Sequence, residues 1–141
     1  NASLMKNEAL LNGYDDAIAI DDNGHVTEST VANVFIVRDG ALITPDGASD
    51  ILEGITRSSV MSVARKLQLA VAQRTVDRSE LYIADEVFIC GSSVGITPIL
   101  SIDKRPVGSG TVGPITAQLA KEYDQVQHAK SNQLSVWLTE A

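Results

Sequence analysis

The sequence predicts a mixed α/β domain in which a β-meander is followed by helices. In residues 16–44, short apolar segments alternate with turn signals such as Asp22-Asn23-Gly24 and Asp39-Gly40, a pattern typical of antiparallel strands. Later in the chain, two segments carry apolar residues at helical spacing, one after Gly54 and one after Pro114. We therefore expect strands and helices in one unit that covers residues 1–141.

The first half is expected to open with a short helix from Ala2 to Asn12, with Gly13 as its C-cap. Strands should follow, joined by the two turns named above and interrupted once between Glu28 and Asn33. The expected strands are 16–21, 25–28, 33–38 and 41–44.

The second half is expected to begin with a helix at Ile55, because apolar residues recur every three or four positions up to Leu67. The run Val87-Phe88-Ile89 is almost wholly apolar, as in a strand buried on both faces. Pro114 favours the first position of a last helix. The full expectation is a helix at 55–67, a strand at 69–76, a helical turn at 79–84, strands at 86–90 and 97–102, and a helix from 114 to about 128, with a short terminal stretch that contains Trp137.

Charge and composition exclude several classes of function. The formal net charge is −7 and the pI is about 4.6, which argues against nucleic acids and anionic membrane surfaces as partners. No apolar run approaches the ~18 residues of a membrane span, and no signal peptide is visible. The single Cys90 cannot form an internal disulfide, and in its apolar strand it is expected to be a small buried hydrophobe. We expect a cytoplasmic protein.

The segment from Leu52 to Arg57 is the first candidate site. Gly54 permits backbone angles that other residues avoid, and a helix that starts here would leave amide hydrogens without partners. Such a helix end suits a phosphate or a carboxylate. The residues alone favour an ordinary helix start, and the anion site is the alternative.

The remaining candidates are weak taken singly. Glu28 could pair with a ring nitrogen or be a solvated acid at the end of a strand. The loop Gly91-Ser92-Ser93 could bind an anion or be a flexible polar loop. His25 and His128 lack a cysteine or carboxylate at ligand spacing, so no metal site is expected. Lys6 is expected to be a surface charge.

The order of these segments is more specific than any one of them. The chain contains, in sequence, Gly13-Tyr14-Asp15-Asp16-Ala17, Asp22 to Glu28, Asn33-Val34-Phe35, Leu52 to Arg57, Ala84 to Phe88, Gly91-Ser92-Ser93, and Gly113-Pro114-Ile115-Thr116. This series closely resembles the class IV (fold type IV) pyridoxal-phosphate transaminases over essentially the whole chain. The resemblance implies the cofactor-binding C-terminal domain of that fold, with pyridoxal 5′-phosphate as cofactor.

The resemblance also implies roles for two residues at the cofactor ring. Glu28 matches the acid that pairs with the pyridine nitrogen and keeps it protonated, so that the ring acts as an electron sink. Leu52 matches the leucine that packs against one face of the ring.

The same resemblance places the cofactor phosphate at the helix that follows Gly54. Ile55 and Thr56 match the residues whose amides hold the phosphate. Ser92 matches a hydroxyl residue that also contacts it, and the amide of Ser93 is expected near the substrate carboxylate.

Several departures from the family pattern concern catalysis. The Schiff-base lysine of the family is expected upstream of Asn1, so this chain should contain no catalytic residue and be inactive alone. The N-terminal domain, with much of the substrate pocket, is expected to be absent. Ser29 replaces a frequent glycine, and Gly95 stands where many branched-chain enzymes have Glu. The ending at Trp137-Leu138 resembles the branched-chain enzymes.

The resemblance thus implies transamination between an amino acid, most similar to the branched-chain type, and a 2-oxo acid, in a full-length homodimer. Within the family, the alternatives are a D-amino acid or (R)-amine transaminase and aminodeoxychorismate lyase. The alternative from another class is a non-catalytic domain that holds a phosphate or the cofactor.

Overall fold

The computed structural model describes residues 2–30, 32–46 and 51–140, and for residues 2, 51–53 and 131–140 it gives the backbone only. Four helices and nine strands follow one another along this part of the chain. The helices are α1 (Ala2–Leu11), α2 (Ile51–Lys66), α3 (Arg78–Ile83) and α4 (Pro114–Glu140). The strands are β1 (Ile18–Ile20), β2 (Val26–Ser29), β3 (Asn33–Arg38), β4 (Ala41–Thr44), β5 (Val71–Gln73), β6 (Glu86–Gly91), β7 (Gly95–Ile99), β8 (Ser101–Ile102) and β9 (Arg105–Pro106).

The main sheet has seven strands and is centred on β3. One edge of β3 pairs with β6 along its length, from Asn33 opposite Cys90 to Val37 opposite Glu86. Its other edge pairs first with β2 and then with β4. All pairs are antiparallel except β4 with β5. The predicted α+β fold with its β-meander is confirmed.

Each face of the sheet carries its own core, because successive side chains of a strand point to opposite faces. Phe35 and Phe88 stack on one face with their ring centroids 5.0 Å apart, under helices α2 and α4. Val34 and Ile89 point to the other face and pack beneath α3. Strand β6 is buried on both faces, as its apolar sequence predicts, and Cys90 is a fully buried thiol.

Two turns form as predicted. Asp39 and Gly40 both have positive φ, at 50° and 79°, the geometry of the tight turn that joins twisted antiparallel strands. Gly13 has φ 85° just past the end of α1, where a left-handed residue terminates a helix. Sequence reasoning places these elements well because the turn chemistry is local.

The predicted start of the second helix is wrong. Helix α2 begins at Ile51, so Gly54 lies inside it rather than in a loop before it, and Gly54 is not among the glycines with positive φ. One interior glycine costs a helix only about 1 kcal/mol, which the packing of its apolar face can override.

Three other elements differ from the prediction by more than two residues at a boundary. The strand expected at 69–76 is reduced to β5, and the one expected at 97–102 is divided between β7 and β8. Helix α4 continues to Glu140 instead of ending near His128. No helix in the described part of the chain combines the length and apolarity that crossing a membrane requires.

Candidate functional site

Three side chains form a row across one end of the main sheet. Glu28 lies opposite Asn33, and Asn33 lies opposite Cys90 on its other edge. Residues directly opposite in antiparallel strands point to the same face, and neighbouring strands are about 4.8 Å apart. The row therefore spans about 10 Å on the face that α2 covers. Asn33 and Cys90 are buried, whereas Glu28 is half-buried.

Helix α2 begins at this same end of the sheet. Strand β4 runs antiparallel to β3, so its last residue, Thr44, lies near the start of β3, where its hydroxyl donates to the carbonyl of Val34 at 2.8 Å. The chain then enters α2 at Ile51, and α2 packs on β6. The first turns of the helix therefore lie near the row of Glu28, Asn33 and Cys90.

The turn between β6 and β7 completes this end of the sheet. Gly91 pairs with Gly95 to close the turn, and Ser92 and Ser93 lie exposed within it. Because Ser92 follows Cys90 by two residues, the hydroxyls lie at the same sheet end as Glu28. The structure thus brings Glu28, the start of α2 and the Ser92-Ser93 turn to one end.

The early start of α2 changes what Ile55 and Thr56 can offer. Orphan amide hydrogens belong to the first four residues of a helix, here 51–54, whereas Ile55 and Thr56 lie in its second turn. The expectation that the helix starts at Ile55 is therefore wrong, while the assignment of these two amides to a phosphate stays a prediction. Thr56 is buried and Ile55 is 59% exposed. The side chain of Leu52, expected against a cofactor ring, lies outside the described residues.

Sequence reasoning missed Arg57. Its side chain is only 6% exposed, and its Nη2 donates to the carbonyl of Pro45 at 2.7 Å and to Oε1 of Gln73 at 3.1 Å. Burial lowers the pKa of the guanidinium, while the nearby Cys90 and Asp46 oppose that shift. One signal could have found it: Arg57 lies three positions before Val60 and seven before Ala64, on the apolar face of the helix.

Asn33 was also missed as a polar group of the site. It is 5% exposed, and its Oδ1 is one of the buried polar atoms that have no partner in the described part of the chain. Such atoms are uncommon in folded proteins and call for an explanation. Its position between Glu28 and Cys90 gives the site a buried, unused hydrogen-bond acceptor.

Lys6 and the two histidines belong neither to the row of Glu28, Asn33 and Cys90 nor to the Ser92-Ser93 turn. Nζ of Lys6 donates to the carbonyl of Asp15 at 2.6 Å, and the side chain is 37% exposed. The ring nitrogens of His25 lie 3.7 Å from a carboxylate oxygen of Asp21 and 3.4 Å from one of Asp77. His128 is exposed on α4. Within the described ranges, no group of three or more potential metal ligands comes together.

An open groove of about 650 Å³ runs between α2 and α4. It is lined by Gly54 and Ile55 at one end and by Lys66 and Lys130 among others, but by neither Glu28 nor Ser92. The groove therefore meets the candidate site only at α2 and does not contain it. The site itself is an open sheet end rather than an enclosed cavity.

The chain is similar to proteins of one known family. Residues 1–102 match the family described as amino-transferase class IV. A probable branched-chain-amino-acid aminotransferase of Aquifex aeolicus is 44% identical over 99% of this chain, and the branched-chain-amino-acid aminotransferase of Pseudomonas aeruginosa is 35% identical over 99%. This chain covers only 45% of each of these relatives, so it spans less than half of their length.

Solved structures give the same result for the fold. The branched-chain amino acid aminotransferase of Thermobaculum terrenum, in its PLP form, is 50% identical, with a TM-score of 0.83 over 89% of this chain and 41% of its own. The branched-chain aminotransferase of the thermophilic archaeon Thermoproteus uzoniensis, solved with norvaline, is 42% identical, with a TM-score of 0.82 over 89% of this chain and 41% of its own.

Proposed function

Since this chain belongs to the class IV aminotransferases, we propose that it is the cofactor-binding domain of an enzyme that moves an amino group between a branched-chain amino acid and a 2-oxo acid. The observation that carries the proposal is the convergence of Glu28, the start of α2 and the Ser92-Ser93 turn at one end of the sheet. The proposed cofactor is pyridoxal 5′-phosphate, as in the PLP form of the Thermobaculum terrenum enzyme.

The groups at the sheet end fit such a cofactor. Its ring nitrogen is basic and its phosphate is a dianion, so the site must offer an acid at one end and donors at the other. Glu28 is a half-buried carboxylate on one side of the row. Hydroxyls, backbone amides and the buried guanidinium of Arg57 lie on the α2 side. The unpartnered Oδ1 of Asn33 lies between these two ends and is a further polar group toward a ligand.

The residues of this chain would bind and orient rather than react. Bound pyridoxal phosphate supplies an electron sink for the substrate's α-carbon. Glu28 would hold a proton on the ring nitrogen, because a neighbouring carboxylate favours the charged form of that base. Thr56, Ile55 and Ser92 would hold the phosphate, and the Ser93 amide would orient the substrate carboxylate.

We further propose that the proton-transferring lysine and much of the substrate pocket belong to another part of the protein. This chain spans less than half the length of its relatives, which supports a second domain. Exposed apolar residues on α1, with Leu4 at 69% and Leu11 at 87%, support self-association into a homodimer. A lone, buried Cys90 is compatible with a reducing cytoplasm.

The enzymatic assay uses the gene product that contains this chain. We expect transamination of L-leucine, L-isoleucine and L-valine with 2-oxoglutarate, measured as released 2-oxo acid. Glu28→Gln should lower kcat strongly, because a neutral amide stabilises the ring's protonated nitrogen less. Turnover of D-alanine or an (R)-amine alone would favour the other transaminases, and turnover of aminodeoxychorismate alone the lyase. No turnover of any substrate would leave a binding domain as the function.

The role of lysines within the chain itself is tested by reduction. After treatment with pyridoxal 5′-phosphate and borohydride, peptide mapping should find no lysine that is labelled stoichiometrically and alone. We expect this of Lys6 in particular, because its Nζ already donates a hydrogen bond to the Asp15 carbonyl and lies 3.9 Å from a carboxylate oxygen of Asp16. Unique, stoichiometric labelling of Lys6 would contradict the proposed division of the site.

A further inference from the structure

Arg57 carries a buried charge that has no ion pair among the described residues, although Asp46 acts on it from beyond ion-pair distance. Both hydrogen-bond acceptors of its Nη2, the Pro45 carbonyl and the Gln73 amide oxygen, are neutral. In the described part of the chain, no carboxylate lies within the 4.0 Å of an ion pair with this guanidinium. A guanidinium does not lose its proton in a protein, so the positive charge remains in place.

Two other arginines show the contrast. Arg38 and Arg74 both lie within 3.0 Å of the Glu80 carboxylate, although each is more exposed than Arg57. Two partly exposed arginines are thus ion-paired, whereas the buried one has no ion pair among the residues whose side chains the structure describes. Burying an unpaired charge is strongly unfavourable unless something else offsets it.

The position of Arg57 indicates what offsets it. Its side chain joins the segment just before α2, at Pro45, to the last residue of β5, Gln73. The guanidinium also lies close enough to Cys90 to interact with it electrostatically. Cys90 is two residues before Ser92, so the positive charge lies beneath the end of the sheet where the phosphate is proposed to bind.

We propose that Arg57 is a positioning residue for the phosphate of the cofactor: it holds the entry to α2 against β5 and supplies the positive charge that a bound dianion neutralises. This inference rests on the proposed function. It adds a cation to the hydroxyls and amides that this chain is proposed to offer the phosphate, all of which are neutral. A positive charge with little competing water attracts an anion more strongly than the same charge at an exposed position.

Gln73→Glu is the sharpest test, because it places a carboxylate where the amide oxygen lies 3.1 Å from Nη2. The new ion pair should leave the chain as stable as the wild type or more stable, while it neutralises Arg57 and weakens phosphate binding. A purely structural role for Arg57 predicts the same stability and unchanged binding. Gln118→Glu is the matched control, since Gln118 is exposed near the start of α4, at the opposite end of β6.

Binding is measured on the gene product that contains this chain, ¹⁵N-labelled and freed of cofactor, by NMR titration with pyridoxine 5′-phosphate and with pyridoxine. Pyridoxine lacks the phosphate, and neither compound has an aldehyde to react with lysines. The ratio of the two dissociation constants isolates the phosphate contribution. We expect Gln73→Glu to reduce this ratio about tenfold, the effect of removing one close charge at intermediate dielectric. Gln118→Glu should leave it unchanged, and Arg57→Lys should retain more of it than Arg57→Met.

The outcomes separate the two proposals. If the wild type prefers pyridoxine 5′-phosphate and Gln73→Glu keeps that preference within twofold, the charge role of Arg57 is refuted and the cofactor site stands. If the folded wild type binds both compounds equally, the phosphate site of the proposed function is refuted, and the inference with it. Chemical denaturation of each variant shows whether a loss of binding is only a loss of folding.

Discussion

Replacing Glu80 with Gln should destabilise the chain in a pH-dependent way. Glu80 is 9% exposed on α3 and accepts hydrogen bonds from Arg38 at 2.9 Å and from both terminal nitrogens of Arg74 at 2.8 and 3.0 Å. The backbone amide of Asp77 donates to it as well, which completes a capping box at the start of α3. The hydrogen bonds from Arg74, above all, lower the pKa of Glu80 from 4.5 to about 2.

The pKa shift sets the size of the effect. Lowering the pKa of Glu80 from 4.5 to about 2 corresponds to roughly 3 kcal/mol of stability near neutral pH. Solvent screens both partners, because the Arg38 side chain is 34% exposed and that of Arg74 is 42% exposed. We therefore expect Glu80→Gln to lower the free energy of unfolding by about 2 kcal/mol at pH 7.

The pH window follows from the direction of the shift. Folding lowers the pKa of this carboxyl, so its stabilisation is fully present above pH 4.5 and is lost as the pH falls toward 2. Urea denaturation at pH 7 and pH 3 measures it. At pH 7 the midpoint for Glu80→Gln should fall by about 1 M, and at pH 3 the difference from the wild type should shrink by more than half.

A matched control removes one carboxylate without breaking a network. Glu8 is exposed on α1, and Glu8→Gln should change the unfolding free energy by less than about 0.5 kcal/mol at either pH. The reasoning is refuted if Glu80→Gln is as stable as Glu8→Gln at pH 7. It is also refuted if the deficit of Glu80→Gln is the same size at pH 3 as at pH 7.

Three further predictions concern packing and assembly. Gly113→Ala should lower the free energy of unfolding by about 1–3 kcal/mol, because the new Cβ would lie 2.1 Å from Cδ of Glu86. The carboxylate of Glu86 accepts hydrogen bonds from the amides of Ile115 and Thr116 at the start of α4. Thermal unfolding measures the effect, and an unchanged Tm would contradict the prediction. Phe88→Ala should lower the free energy of unfolding by about 3–5 kcal/mol, because it removes one ring of the stacked pair with Phe35 and leaves a cavity. Ile55→Ala, at a residue that is 59% exposed, should change the free energy of unfolding little in the same urea titration. At low micromolar concentration the chain should sediment as a dimer or larger despite its charge of −7, and a clean 15.0 kDa monomer would show that the contact needs more of the protein.

Sequence reasoning succeeded where the determinant is local or periodic. The bounds of β3 and β4 match the prediction, because the Asp39-Gly40 turn fixes where one strand ends and the next begins. The start of α2 was predicted wrongly because its determinant is not local. A glycine inside a helix lowers the helix stability only slightly, and packing can outweigh that cost. The sequence thus predicts the elements better than their ends.

In the site, too, the local features could be predicted from the sequence and the long-range ones could not. Glu28 and Ser92 could be named from the order of the motifs, but the pairing that places them at one sheet end requires strand register, which no single segment contains. Arg57 and Asn33 were missed because what distinguishes them is the lack of a partner among the described residues: an ion pair for Arg57 and a hydrogen bond for Oδ1 of Asn33. Whether a buried polar group is satisfied depends on residues distant in sequence. Gln73 accepts a hydrogen bond from Arg57, whereas Oδ1 of Asn33, opposite Cys90, has no partner in the described residues.

The distribution of satisfied and unsatisfied polar groups is itself an argument about function. The buried carboxylates away from the site are fully used: Glu80 by two arginines and a backbone amide, and Glu86 by the first amides of α4.

Two buried oxygen atoms near Glu28 are not satisfied in this way. Oδ1 of Asn33 has no partner in the described residues, and neither has Oδ2 of Asp16, whose other oxygen accepts a hydrogen bond from Thr30, two residues after Glu28. The remaining such atom is the neutral hydroxyl of Thr116, on α4. A fold that satisfies its buried carboxylates elsewhere could do so here too, since proteins seldom leave polar groups unpaired except where function requires it. The incomplete end of the sheet is therefore the part of this chain that is built to receive something else.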